Sequence, residues 1–176
     1  ERRLRTDDNP QALVHEALSS AMYQAHPYRR PVIGWMDDLE HMTVQDARDW
    51  YRQWYAPNNA YVVVVGDVDH REVFRLAQKL YGAQRPHALP ERKPQNEPEQ
   101  AGIRRVSVKA PAKLPYLAMS WKAPKLRDVR NDREPYALEV LASVLDGHDA
   151  SRFARNLVRG SRIAQSAGAG YDADIV

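Results

Sequence analysis

The stretch "YVVVVGDVDHREVFRLAQKL", Tyr61 to Leu80, decides the fold. Tyr61 to Val65 is an unbroken β-branched and aromatic run, and Gly66 ends it. Such side chains favour extended backbone, and a run with no polar alternation has no wet face, so it predicts a strand buried on both faces. Asp69 then offers an acceptor to the first free N–H groups of a helix on which Val73, Leu76, Ala77 and Leu80 recur. The unit is strand, turn, helix.

Working back from this unit, Thr43-Val44-Gln45-Asp46 is close to a capping box. Val44, Ala47, Trp50, Tyr51 and Trp54 follow at helical spacing until the turn Pro57-Asn58-Asn59. Asn9-Pro10 starts another helix, with Leu13, Ala17, Ala21 and Met22 on one face, expected to reach about Tyr23. The charged segment Glu1 to Asp8 reads as the last turns of a helix whose body lies upstream, and Glu1-Arg2-Arg3 is neither an initiator methionine nor a signal peptide.

Working forward, Pro86, Pro90, Pro94 and Pro98 alternate with charged and polar residues, which favours extended, poorly packed chain. Residues 84–102 are therefore expected to be a linker. Beyond it, Arg104 to Lys109 and Pro115 to Lys122 alternate and suggest two paired strands. Asp132 is expected to cap a helix with Tyr136, Val140, Leu141 and Val144 inside. Asp146-Gly147 ends that helix, Ser151 starts a short one, and Ile163 to Tyr171 reads as a small-residue strand. The predicted class is α+β, a two-layer mixed sheet with packed helices. Its parts are residues 1–83, the linker 84–102, and residues 103–176.

Composition narrows the function. A chain of 176 residues with 43% hydrophobic content can bury a core. Its 26 basic and 23 acidic residues are spread along it, without the basic stripe that nucleic acid would require. There is no cysteine, hence no disulfide, thiolate metal site or cysteine nucleophile. No apolar run approaches the roughly 18 to 20 residues of a membrane span.

"DDLEH", Asp37 to His41, differs by one residue from HxxEH, in which two histidines bind zinc from one helix face. Asp37 stands where the first histidine would be, and with a helix beginning at Thr43, Glu40 and His41 are expected in a loop where ligands four apart do not converge. The six histidines, 15, 26, 41, 70, 87 and 148, show no close pairing. No nucleophile elbow, dinucleotide fingerprint or Walker sequence occurs, and "SAGAGYD" suits close strand packing better than phosphate binding. The residues contain no complete catalytic constellation.

Taken in order, "ERRLRTDDNPQALVHEAL", "AHPYRRPVIGWMDDLEHMTVQDARDWYRQWYAPNNAYVVVVGDVD", the proline linker and "VLASVLDGHDASRFARNLVRGSRIAQSAGAGYD" resemble the pitrilysin or insulinase (M16) family of zinc peptidases, in its bacterial, processing-peptidase-like branch. The resemblance implies two similar α+β modules joined by a linker. Residues 1–83 would be the C-terminal part of the first, zinc-site module, and 103–176 the N-terminal part of the second, inactive one. It implies a zinc site of an inverted H-x-x-E-H and a later glutamate, which the family pattern places at Glu1. Zinc is then expected in the intact parent and none in this stretch, since one carboxylate without its two histidines retains no metal. Relatives carry in the second module an arginine and a tyrosine thought to grip the substrate backbone. The matching positions here are Val158 and Gln165, and a valine cannot donate to an oxyanion.

The resemblance thus implies peptide substrates, a homologous peptidase subunit as heterodimer partner or self-association, and a periplasmic location. Its alternative is a noncatalytic structural subunit of the same fold, as in respiratory-complex cores. DDLEH, by the same resemblance, is not a degenerate zinc site.

Overall fold

In the computed structural model, which describes residues 1–174, three of the helices begin where a side chain satisfies their first N–H groups. Asn9 Oδ1 accepts from Gln11 N–H at 3.0 Å and Ala12 N–H at 3.2 Å, with Pro10 at the first turn, and the helix α2 runs Pro10–Met22 after a short α1, Arg2–Asp7. Helix α3 spans Met36–His41 and α4 Val44–Trp54. The capping box of α4 is complete, Thr43 Oγ1 accepting from Asp46 N–H at 3.2 Å and Asp46 Oδ2 accepting from Thr43 N–H at 2.7 Å. Those bonds from Thr43 hold the Asp46 carboxyl below its usual range. Asp69 Oδ1 caps α5, His70–Tyr81, accepting from Arg71 N–H at 2.7 Å and Glu72 N–H at 3.2 Å.

Helix α6, Glu134–Asp146, ends at Gly147 as expected, but Asp132 is not its cap. Its Oδ2 turns back and accepts from Arg127 N–H at 2.8 Å and Asp128 N–H at 2.9 Å, which keeps its carboxyl below the ordinary range. A π-helical turn, Ala154–Gly160, follows.

The expected sheet is absent. Among the described residues there is no strand and all regular structure is helical, which overturns the two-layer mixed α+β reading. The run expected to be buried on both faces is open to solvent, with Tyr61 99% and Val65 91% exposed, and among the described residues no backbone–backbone hydrogen bond engages residues 61–65. Residues 104–109, 115–122 and 163–171 are likewise without strand structure. The reason is that a strand has no internal hydrogen bonds. β propensity reports fit to a neighbouring strand and a covered face, and no described segment supplies either. The helix faces are also open: Tyr136, Val140, Leu141 and Val144, expected inside, are exposed. Tyr23, Ala56, Pro135 and Ser151 are the described residues that are buried.

The chain groups into two units, Glu1–Met119 and from Ser120 onward. In the first, α1 packs on α2 through Arg3, whose guanidinium reaches Asp7 Oδ1 at 2.8 Å and both Glu16 oxygens at 2.5 and 2.9 Å. In the second, Ser151 Oγ accepts from His148 N–H at 2.9 Å, and Leu126 N–H donates to the Ala173 carbonyl at 3.0 Å. Residues 175 and 176 of the expected second module lie outside the described residues. Among those described, no helix is long and apolar enough to cross a membrane.

Candidate functional site

Glu1, the residue expected to ligate metal, stands at the N-cap position of α1 without capping it. Its carboxylate pairs with the Arg5 guanidinium one turn on, and both side chains are open to solvent, Glu1 at 78%. A zinc site needs three protein ligands converging on one point, with a fourth position left for the water that attacks. Among the described residues no group of three or more histidines, aspartates and glutamates converges in that way. The described residues thus supply one of the three expected ligands, Glu1, whose exposed carboxylate is paired with Arg5.

DDLEH is placed differently from its expectation. It lies on α3 and not in a loop, so residues four apart do share a face. His41 Nδ1 sits 2.7 Å from the Asp37 carbonyl and 3.6 Å from Asp37 Oδ1. The helix was hidden because Trp35 at its N-cap offers no side-chain acceptor, so the usual start signal is missing. The pair is an exposed contact between neighbouring turns, and Asp37 in place of a histidine removes the second imidazole.

Val158 lies within the π-helical turn and Gln165 is exposed in the segment after it. Neither offers the charged donor that the family resemblance leads one to expect there. The nearby Arg159 is already engaged, its Nη2 donating to the Asp149 carbonyl at 2.5 Å. Arg162 takes the left-handed backbone region at φ 53°, rare for a residue with a Cβ.

Sequence reasoning missed the groups that organise the start of the chain. His15 Nε2 meets Tyr116 Oη at 2.9 Å, and Glu97, read as one more polar residue of a linker, accepts from backbone N–H groups of Gln24, Ala25 and His26. Neither has a local sequence signal, because each joins residues more than 70 positions apart.

Residues 41–175 match the family described as "Peptidase M16 inactive domain". The chain is 32% identical over 171 residues to the zinc protease PqqE of Helicobacter pylori, covering 95% of this chain and 37% of that protein. It is 28% identical over 76 residues, 43% of this chain and 17% of the other, to a probable mitochondrial-processing peptidase subunit beta of Schizosaccharomyces pombe. Among solved structures, a protease from Helicobacter pylori superposes with TM-score 0.72 at 27% identity, over 98% of this chain and 41% of that one. The chain thus spans well under half the length of these relatives. With most of its length matched, the chain belongs to the M16 peptidase family, through the portion described as its inactive domain.

Proposed function

We propose that this chain is part of a zinc-dependent endopeptidase that hydrolyses peptides, and that it is inactive by itself. The observation that carries the reading is the 32% identity to a protein named a zinc protease across 95% of this chain. In this reading residues 1–83 close the zinc-site module and 103–176 open the second, inactive one. Glu1 exchanges Arg5 for the metal when two imidazoles from the rest of the parent are present. The parent acts outside the cytoplasm, in the periplasm.

Val158 and Gln165 lead to the second element of the proposal. A peptidase must meet the charge that develops on the attacked carbonyl with hydrogen-bond donors, and a valine has none. A homologous subunit lacking the zinc ligands supplies the arginine and tyrosine. A relative named as a peptidase subunit supports this division of labour within the family.

The test is zinc content and peptide hydrolysis of the longer parent, alone and mixed with its most similar homologue lacking zinc ligands. The expected result is activity only in the mixture, and loss of both zinc and activity in Glu1→Gln. Full activity of the parent alone removes the partner, and zinc-bound activity unaffected by Glu1→Gln removes Glu1 as ligand. The second reading, a noncatalytic structural subunit, is favoured by the description of the matched domain as inactive. It holds if neither zinc nor hydrolysis is found in any mixture.

A further inference from the structure

The proline-rich segment has no regular structure, yet it meets the first unit at separated places along its length. Near its start, Asn58 Nδ2 donates to the His87 carbonyl at 3.0 Å and His87 N–H donates back to Asn58 Oδ1 at 3.4 Å, while His87 Nε2 lies 3.3 Å from the Gln53 carbonyl. In its middle, the Arg92 guanidinium sits 4.6 Å above the ring of Trp54, an attraction of cation to aromatic face. Near its end, Glu97 accepts from three consecutive backbone N–H groups, Gln24 at 2.8 and 3.0 Å, Ala25 at 2.8 Å and His26 at 2.9 Å. Just beyond, Arg104 Nη1 donates to the Ala21 carbonyl at 2.7 Å and the Met22 carbonyl at 3.2 Å.

The last two contacts complement each other. A helix ends with carbonyls that have no partner within it, and a cation there is favoured both as donor and by the helix dipole. Arg104 takes that position at the end of α2. The chain then turns and presents successive N–H groups in the same direction, a concavity suited to an anion, which the Glu97 carboxylate fills. Charge-assisted bonds of this kind are roughly twice as strong as neutral ones.

We propose that residues 87–104 form a strap clasped onto the first unit, with Glu97 and Arg104 as its buckle at the C-terminal end of α2. The tether that composition suggests over 84–102 is then fastened along most of its length.

Hydrogen exchange on the full 176-residue chain tests this, with Glu97→Gln and, as control, Glu99→Gln. The amides of Gln24, Ala25 and His26 should exchange at least about tenfold more slowly than an unstructured peptide, and Glu97→Gln should remove about tenfold of that protection. Cleavage by an arginine-specific protease after Arg92 should accelerate by a similar factor in Glu97→Gln and in Arg104→Gln, and stay unchanged in Glu99→Gln. Unprotected amides at 24–26 in the unmodified chain, or Glu97→Gln indistinguishable from it, overturn the strap. If circular dichroism shows that Glu97→Gln has lost helix, the exchange rates of the unmodified chain decide alone.

Discussion

Helix α5 and the run that precedes it, Tyr61–Val65, sit side by side in the sequence and read with equal clarity, yet one forms and the other does not. The helix is complete because its requirements are local: Asp69 lies next to the N–H groups it caps, and each further bond joins residues four apart. The valine run carries a stronger apolar signal and no regular structure, because every bond it needs belongs to another segment. Periodicity states what a segment would do with a partner, and only for helices is the partner supplied nearby.

The largest effect that sharpens this contrast is proline insertion. Arg48→Pro, inside α4, removes an intrahelical bond and crowds the preceding turn, at a cost of about 3 kcal/mol, with a marked loss of helical circular dichroism. Val63→Pro should leave the helical signal and melting temperature unchanged, since residues 61–65 make no backbone–backbone hydrogen bond to lose. A comparable loss from Val63→Pro would show the run to be paired in solution. Next in size, Asn9→Ala should cost α2 about 1 kcal/mol in denaturant unfolding, the usual worth of a side-chain cap.

A third expectation concerns the open valines. An exposed apolar run with free backbone groups is a template for association, so Val63→Lys should lower concentration-dependent light scattering several-fold. Equal scattering would place the association surface elsewhere, on the open faces of α4 to α6. The smallest effect is acidification of the capping box. Asp46 is held below its ordinary range by Thr43, so its contribution is present above the unfolded carboxyl value of about 3.9 and is lost as pH falls through the lower folded value. Helical signal from α4 should therefore decline below about pH 4, and Asp46→Asn should flatten that decline.

The legible part of the molecule follows the same division. Helices α2, α4 and α5 appear where Asn9, Thr43 and Asp69 announce them. Helix α3 was unreadable because Trp35 announces nothing, and Asp132 misled because an aspartate before a helix can cap it or close the turn upstream, and here it closes the turn. The family was legible in long blocks such as "HPYRRPVIGWMDD", while the candidate metal residue was legible only through that family: the carboxylate of Glu1 pairs with Arg5, a contact that carries no metal signal. The sheet was misjudged because the valines describe a demand and the described chain does not meet it.

One consequence rests in the Arg3 fork. A single planar guanidinium answers two carboxylates, Asp7 on its own helix and Glu16 on the next, and so fixes the azimuth of α1 about its axis as well as its distance from α2. Glu1 begins that same short helix, so the compass bearing of its carboxylate is set two residues downstream. A lysine at position 3 would keep the charge and lose the bearing.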